Sequence, residues 1–572
     1  MSLRVAGSIA AAALRSAEVG MAVASANVAN ADTDGYTRKT AQVAATDTGV
    51  GYAGVGVSSI SASVNQYLLK SLVSQQSAVG ETAVADDYLS RLQGVLGSTD
   101  SDSGVAAAFA DAADAAATFA TSPESQSARV AVTQNLAALT ESLRTTSADI
   151  QDLRADADAD IAATVDAINE SLETLDDLND RIVKGKAAGN NVSDLEDQRG
   201  EALKALAGNI DIQYQIDDSG RARVSTSSGA ALLDSSVHAL SYQPASSVSE
   251  TTTFAAITLN GKDVTDKVKS GKLAGLIDLR DETLPAYQDE LNQMAATFKE
   301  TLNDIHNAGT AIPAPQTLTG STTVAASDAF SGSGTLRVAI ADADGAAVET
   351  QELDLSAYAT VQDVADALSS MTNLTATVDA DGHLVLDSGN ADYGVALSGG
   401  SVGADAKGFS AYFGLNDLIQ GDSAADIAVS AAISADSARL AGGVLSDATT
   451  LAAGDIALSS GDGTTASALS AAFSATQSFA AAGGLGATSA TFAGYWGQTV
   501  QETATAADKA ATAATDAEDY ADSLSGSFLS QSGVNIDEET AAIAALESAY
   551  QAAALVLQTM QEMFDTAVGM VS

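Results

Sequence analysis

Apolar residues recur in alternating steps of three and four at both ends of the chain. This spacing puts them on one face of a helix, so the pattern predicts an amphipathic α-helix at each terminus. Heptads sustained over many turns are typical of coiled-coil seams, and two of them, one at each end, favour pairing with each other. Either stretch alone would also suit a helix on an ordinary core. The larger seam residues are Leu3, Leu14, Met21, Ile543, Leu546, Tyr550, Leu557, Met560 and Phe564.

Helical spacing continues between the two ends. Apolar stripes run through 68–95, 136–182 and 284–305, and a shorter stripe covers 195–206. Five prolines in 572 residues leave such helices unbroken. The sequence therefore predicts several long, rod-like helices between the two terminal helices.

Two internal regions change to the alternation and turn residues of β-strands. Both are flanked by helices, which indicates β modules inserted into a helical rod. The predicted fold is α+β and multidomain, with a long α-helical coiled-coil rod formed by both termini and internal helices. The predicted units are a terminal coiled-coil domain (1–60 and 530–572), a helical rod domain (61–207, 272–312 and 425–529), a β-rich domain (208–271) and an inserted α+β outer domain (313–424).

Composition narrows the classes of partner. Apolar residues make up 46% of the chain but aromatics only 5%, so small side chains suited to close helix packing carry much of the core. The formal net charge of −48 repels phosphate backbones and anionic lipid surfaces, so we expect neither nucleic acid nor a membrane as a partner. Cysteine is absent, which excludes disulfides, thiolate metal sites and cysteine nucleophiles.

No stretch is expected to span a membrane or to act as a cleaved signal peptide. The uncharged segment 463–501 is interrupted throughout by Ser, Thr, Gly and Gln, whereas a spanning helix needs about 20 predominantly apolar residues. At the N-terminus, Arg15 and Glu18 break the apolar run that a signal peptide requires. If the protein is secreted, it needs an export pathway that does not use a cleaved signal peptide.

Few residues suggest chemistry. The tetrapeptide Asp-Ala-Asp-Gly occurs at 342–345 and 379–382, where its carboxylates suit calcium, but the bidentate Glu of an EF-hand loop is missing. Asp-Gly between strands is also the usual hairpin signal, which we favour. Asp156, Asp158 and Asp160 fan around a helix and do not converge.

Other candidate sites are equally incomplete. His238, His306 and His383 lie far apart and lack metal-site spacing, so surface or hydrogen-bonded histidines are expected. The glycine-rich run at 483–486 lacks the Lys-Ser/Thr of a phosphate loop. We therefore expect no catalytic site, no metal and no cofactor.

The segment Ala26–Lys39 reads ANVANADTDGYTRK and follows directly on the first predicted helix. It resembles the signature that follows the first helix of flagellar rod, hook and hook-associated proteins. Asn and Asp accept helix-end and turn conformations, and a Gly permits a sharp turn. Two positions depart from the family pattern, Ala26 where a second Asn is usual and Asp34 where Pro or Thr is common. The matching positions are Asn27, Asn30, Thr33, Gly35, Tyr36 and Arg38.

The other end resembles the same family independently. Ser532–Thr540 reads SGVNIDEET, in which Asn535 or Asp537 is placed to cap the helix that follows. That helix looks like the C-terminal helix of a hook-associated protein. The interior segments that resemble the family are LEDQR at 195–199, GKLAGLIDLRDETLP at 271–285 and FGLND at 413–417.

The resemblance implies a structural axial protein of the bacterial flagellum that joins hook to filament. It implies an extracellular location and export through the flagellar type III apparatus without a cleaved signal peptide. The implied partners are further copies of the chain in a ring, the hook protein, hook-associated protein 3 and a flagellar export chaperone. The seam residues, the six signature positions and Asn535 would then form the assembly interface.

Other interpretations stay open. Within the axial class, the hook protein shares the signature, but it usually carries Gly-Phe in place of Gly35-Tyr36. From a different class, a secreted acidic calcium-binding adhesin would explain the acidity and the β inserts. It would not need heptads at both termini.

Overall fold

The computed structural model describes residues 3–47, 53–98 and 103–570. Long helices dominate this part of the chain, as the abundance of Ala and Leu favours. A π-helical turn, Leu279–Thr283, joins the sixth helix to the seventh. The helices are α1 (Leu3–Ala29), α2 (Gln66–Leu96), α3 (Gly104–Thr121), α4 (Gln126–Ala187), α5 (Ser193–Asn209), α6 (Lys272–Asp278), α7 (Leu284–Asn307), α8 (Val361–Leu368), α9 (Phe409–Phe413), α10 (Ala431–Ala435), α11 (Thr464–Ser474), α12 (Phe492–Ser532) and α13 (Ile536–Gly569).

The strands form small antiparallel sheets. Two sheets in the predicted outer domain have the strand orders β11-β10-β14-β15 and β12-β13-β9. The strands are β1 (Lys39–Asp47), β2 (Ala53–Ala62), β3 (Ile212–Ile216), β4 (Ala222–Thr226), β5 (Ala231–Leu233), β6 (Leu240–Ser241), β7 (Thr258–Leu259), β8 (Lys262–Asp263), β9 (Thr317–Thr323), β10 (Gly332–Asp342), β11 (Ala347–Asp354), β12 (Thr375–Val378), β13 (His383–Asp387), β14 (Tyr393–Val402), β15 (Lys407–Gly408), β16 (Ile419–Gln420), β17 (Ala428–Val429), β18 (Gln477–Phe479) and β19 (Thr488–Ala490).

The two terminal helices pack against each other in antiparallel orientation. A methyl group at Gly7 would lie 3.1 Å from Met560, and one at Gly20 would lie 3.0 Å from Leu546. Small residues on α1 therefore let the larger side chains of α13 approach its backbone. The buried alanines of α1 recur every seven positions, at Ala10, Ala17 and Ala24.

The helical rod is built around α4, which has 62 residues and a length of roughly 90 Å. Its buried stripe runs from Leu136 to Ile182 and matches the stripe predicted for that segment. The aromatic rings of Phe109, Phe298 and Phe492 join α3, α7 and α12, with centroids 5.3 to 6.0 Å apart. Predicted rod helices and observed rod helices therefore agree.

The β-rich region between α5 and α6 packs directly on α4. Asn179 of α4 donates to the carbonyl of Ala222 and accepts from its N–H, at 2.9 and 2.8 Å. Asn169 does the same for Leu240, at 2.9 and 2.8 Å. Apolar residues of β3 to β7 belong to the same buried cluster as the rod helices. This β region is therefore a cap on the rod and shares its core.

The outer domain has a core of its own between its two sheets and α8. Its buried cluster extends from Leu318 to Leu415 and includes Val338, Leu368 and Leu397. Thr360 and Asp363 form a capping box at the start of α8. The strand–helix–strand pattern predicted from sequence is thus present.

Residues 445–458 extend this outer unit, although the sequence assigned them to the rod. Leu445 and Leu458 bury alanines on the second face of the β10–β14 sheet. Arg337 on β10 donates to the carbonyl of Ser446 at 2.7 Å. The segment has no regular helix or strand, so its apolar residues show no period that sequence analysis detects.

Two helical stretches of the described chain are long and apolar enough to cross a membrane, Arg4–Ala29 and Phe492–Gly569. This differs from the expectation that no stretch reaches that level. Alanine is the reason, because it raises hydropathy although it buries little area. Length and composition are weak evidence of a span, since helices of a protein core pass the same test.

Candidate functional site

The signature segment lies where α1 ends, and Asn27 is its completely buried centre. Its Nδ2 donates to the Lys39 carbonyl at 2.9 Å and to Glu539 Oε2 at 3.0 Å. Its Oδ1 accepts from the Lys39 N–H and from the Tyr36 hydroxyl, both at 3.0 Å. The amide therefore uses both donors and both acceptor positions. It ties the end of α1 to β1 and to the first turn of α13.

Arg38 makes the second link between the two ends of the chain. Its Nε donates to Glu539 Oε1 at 2.6 Å and its Nη1 to Glu538 Oε2 at 3.0 Å. Its backbone N–H donates to the Ser532 carbonyl at 2.8 Å. Asn535 caps α13, because its Oδ1 accepts from the Asp537 N–H at 3.0 Å and from the Glu538 N–H at 3.3 Å. The cap and the positive end of the helix dipole favour acidic residues in this first turn.

Asp197 of α5 holds the other side of the signature segment. Its Oδ2 accepts from the Thr37 N–H at 3.0 Å, and its Oδ1 from the Thr37 hydroxyl at 2.6 Å. It also pairs with the buried Lys39 ammonium. That ammonium lies 3.9 Å from the centre of the Tyr36 ring, within cation–π range.

The Tyr36 phenol stays protonated in this setting. Burial raises its pKa to about 12, with the negative charges of Asp194, Asp197 and Glu539 adding to the effect. A neutral hydroxyl is what the hydrogen bond to Asn27 needs, because the hydroxyl is the donor there.

The remaining signature residues shape the turn itself. The Asn30 side chain donates from Nδ2 to the Ala26 carbonyl at 2.8 Å. The backbone carbonyl of Asn30 accepts from the Thr33 N–H at 3.0 Å. Gly35 has a φ of +75°, and a Cβ there would lie 2.2 Å from Glu201 Oε1. Glycine therefore fits both the left-handed backbone and the close contact with α5.

Of the predicted seam residues, Met560 and Leu546 lie against Gly7 and Gly20 of α1, and none of those whose burial is described is fully buried in the single chain. The side chain of Leu3 lies outside the described residues. Leu14, Met21, Ile543, Leu546, Tyr550, Leu557 and Met560 are half-buried. Phe564 is 60% exposed, because the buried positions of this pair are mostly alanines. Part of the surface of these side chains thus stays exposed in the single chain.

The sequence alone did not indicate a role for three residues of this site, Lys39, Asp197 and Glu539. Asp197 stands in the LEDQR segment and Glu539 in SGVNIDEET, and both segments were noted as resemblances without a role for these two residues. Their partners lie 158 and 501 positions away, and a single sequence carries no signal for such pairs.

The other candidate residues have ordinary structural roles. Asp342 and Asp379 each accept from two backbone N–H groups at the tips of hairpins, at 2.8 to 3.0 Å. Buried His306 donates from Nδ1 to the Asn416 carbonyl at 2.6 Å and accepts at Nε2 from the Ala441 N–H at 2.9 Å. Within the described ranges, no group of three or more His, Asp or Glu side chains could hold a metal ion.

Comparison with protein families matches three parts of the chain. Residues 8–37 match the family "Flagella basal body rod protein", and residues 525–570 match "Flagellar basal body rod FlgEFG protein C-terminal". Residues 89–320 match "Flagellar hook-associated protein FlgK helical domain". The chain is therefore similar to flagellar hook-associated and basal body rod proteins in three separate segments. The two terminal segments cover the helices that meet at Asn27 and Glu539.

Curated relatives carry the family name. Flagellar hook-associated protein 1 of Escherichia coli K12 is 25% identical over 307 residues, which are 52% of this chain and 56% of that protein. The protein of the same name from Bacillus subtilis 168 is 25% identical over 334 residues, 52% of this chain and 66% of the relative. The match thus spans only a little over half the length of the Escherichia coli relative.

A solved structure, the flagellar hook junction protein FlgK from Burkholderia pseudomallei, is also similar. It is 15% identical, with a TM-score of 0.48, over 80% of this chain and 99% of that one.

Proposed function

We propose that this chain is a structural subunit of the bacterial flagellum that forms a junction ring between hook and filament. The observation that carries the proposal is the terminal helix pair, locked at one end by the Asn27 and Arg38 contacts with Glu539. In a tube, such a pair would present a long side to each neighbouring copy. The proposed role is purely structural and includes no catalytic step.

The surface of α13 supports assembly with further copies. Large apolar side chains crowd its C-terminal half although water surrounds them in the single chain, and such a patch favours association. Neighbouring copies of the terminal pair would cover it. The exposed residues are Leu555, Val556, Met563, Phe564, Val568 and Met570.

We propose the remaining partners from the resemblance to flagellar proteins. They are the hook protein on one side, hook-associated protein 3 on the other and an export chaperone before assembly. The location is extracellular, after type III export without a cleaved signal peptide. A net charge of −48 disfavours nucleic acid and anionic membranes as alternative partners. The seam residues, the signature positions and Asn535 form the proposed assembly interface.

A deletion strain tests the proposal directly. Cells that lack the chain should carry hooks without filaments and should release flagellin into the medium, as seen by electron microscopy and immunoblotting. Re-expression of the chain should restore filaments. Normal filaments in the deletion strain would contradict the junction role, and absent hooks would place the chain in the hook or rod.

A further inference from the structure

Glu290 of α7 and Glu502 of α12 face each other in the rod, next to the glycine-rich run at 483–486. Glu290 is 1% exposed, and Glu502 is half-buried. In the part of the chain that the structure describes, neither carboxyl group forms an ion pair. Two negative charges without a cation are strongly unfavourable at such a buried position.

The glycine-rich run sits directly on these two side chains. The Gly484 N–H donates to Glu290 Oε1 at 3.1 Å. A Cβ on Gly484 would lie 1.8 Å from Glu502 Oε1, and one on Gly483 would lie 2.2 Å from the Ala286 carbonyl. Glycine at both positions allows the backbone to make this approach. Reciprocal hydrogen bonds of 3.0 Å between Ala482 and Leu485 close the turn.

One oxygen on each glutamate lacks a partner when both groups are carboxylates. Oε2 of Glu290 and Oε2 of Glu502 are buried and unsatisfied, and both side chains lie against Gly484. Two acceptors cannot bond to each other, but a single proton between them satisfies both. Paired carboxyl groups in other proteins share a proton for the same reason.

We propose that Glu290 and Glu502 share one proton and so form a pH-dependent latch, the carboxyl latch, which holds the 482–485 turn between α7 and α12. With the proton in place, the turn and the two helices form one packed unit. Loss of the proton leaves two negative charges in contact, and the turn and the start of α12 separate from α7. Glu502 lies in the N-terminal part of α12, the helix that precedes α13.

The surroundings favour the shared proton. Burial and the charge of Glu502 raise the pKa of Glu290 to about 7, while the Gly484 N–H and Thr499 act in the opposite direction. The other titratable groups that face the pair are the phenols of Tyr287 and Tyr495, which burial and the two glutamates keep neutral. The turn and the neighbouring helix α11 carry no titratable side chain.

The sign of the effect follows from these pKa values. A group whose pKa is raised on folding stabilises the fold fully below its unfolded value and loses that contribution as pH rises through the folded value. The latch therefore holds at pH 5 and opens above pH 7. Protection of the Gly484 amide against hydrogen exchange, corrected for intrinsic rates, should fall about tenfold per pH unit above 7.

Two variants of the full chain test the latch, with the single tryptophan, Trp496 in α12, as a second probe. Glu290→Gln should abolish both the pH-linked loss of Gly484 protection and the change in Trp496 emission between pH 6 and 8. Glu502→Gln should move the midpoint to lower pH, because the repelling charge is gone. Asp289→Asn, at the exposed neighbouring position of α7, is the matched control and should behave like wild type.

Three results would overturn the proposal. The first is an unchanged midpoint in Glu502→Gln, which would mean that Glu290 titrates alone. The second is a wild-type chain whose Gly484 protection does not depend on pH between 6 and 8. The third is a gain in protection at pH 8 on adding calcium, which would make the pair a cation site.

Discussion

The guanidinium of Arg38 and the carboxylate of Glu539 meet at 2.6 Å across 501 positions of sequence. The Glu539 side chain is 4% exposed and that of Arg38 is 32% exposed, so the buried member of the pair is the acid. The same carboxylate accepts from Asn27 at 3.0 Å. Its burial is therefore tolerated only because both donors are present.

Removing the guanidinium should loosen the start of α13. In Arg38→Ala, Glu539 keeps Asn27 alone, and we expect a loss of about 1–3 kcal/mol in the local opening free energy. Hydrogen exchange of the amides at 536–542 measures it. Arg15→Ala is the control, because Arg15 is exposed and bonds only to its own helix. Equal exchange in both variants would contradict the role given to Arg38.

Replacing Asp158 by Asn should destabilise the chain more than the same change at Asp156, which lies two positions away on the same helix. Asp158 pairs with Arg280 at 2.9 Å, with both side chains 2% exposed, and accepts from the Ala245 N–H at 2.7 Å. Asp158→Asn leaves the buried Arg280 guanidinium paired with Asp281 and removes one charged hydrogen-bond partner, for a loss of about 1–3 kcal/mol.

The control for this change is Asp156→Asn. Asp156 pairs with Arg91 at the surface, where such pairs contribute less than about 1 kcal/mol. Hydrogen exchange around Ala245 distinguishes the two variants. A loss of protection of the same size in both would show that burial of the Asp158 pair has no effect.

His306 should make the chain acid-sensitive. Burial lowers its pKa to about 4, and a proton on Nε2 would face the Ala441 N–H that now donates to it. The unfolded chain takes up that proton near pH 6.5, so stability is lost as pH falls from 6.5 to 4, by up to about 3 kcal/mol.

Thermal unfolding between pH 4 and 7 measures this loss. His306→Gln should flatten the profile, although its overall midpoint will be lower. His383→Gln, which replaces a half-buried histidine, should keep the wild-type slope. A wild-type slope in His306→Gln would assign the acid sensitivity to other groups.

A charge on the seam should abolish assembly. Leu557 is half-buried on α13 at a predicted seam position, and an Asp there would lose hydration in the assembly without gaining a cation, which costs several kcal/mol in each copy. Complementation of a deletion strain with Leu557→Asp should therefore give non-motile cells. Gln558→Asp adds the same charge at the exposed neighbouring position and should restore motility. Motile Leu557→Asp cells would show that the seam is not needed.

The outer domain should be dispensable only when its whole boundary is respected. Deleting 319–418 leaves Leu445 and Leu458 exposed, because these residues pack on the β10–β14 sheet. We expect that deletion to yield an aggregating product, and the added changes Leu445→Ser and Leu458→Ser to restore solubility and assembly. Size-exclusion chromatography and complementation measure both. A soluble product without the two serines would show that residues 445–458 fold independently of the sheet.

Much of the rod could be predicted from sequence, since a helix buries a stripe that recurs every three or four positions. The stripe from Leu136 to Ile182 is an example. The attachment of the β-rich cap could not be predicted, because Asn169 and Asn179 complete strand ends through hydrogen bonds that leave no periodic signal. The packing of the irregular segment 445–458 on the β10–β14 sheet could not be predicted either, because it also leaves no periodic signal.

The residues of the candidate site could likewise be predicted only in part. The six signature residues and Asn535 could be named because they follow or precede a helix in a recognisable order. Their interaction with Glu539 and Asp197 is a property of the folded chain, and it depends on which segments meet in space. Phe564 was expected in the seam, yet α1 leaves it largely exposed, because heptad spacing does not tell whether the covering helix belongs to the same chain.

During synthesis Asn27 is made first, and Glu539 follows 512 positions later. Until Glu539 emerges, the buried amide lacks this carboxylate, and α1 lacks α13 to lie against. Contact between α1 and α13 is therefore a late event in synthesis. A product truncated before α13 would keep this face of its first helix exposed to water.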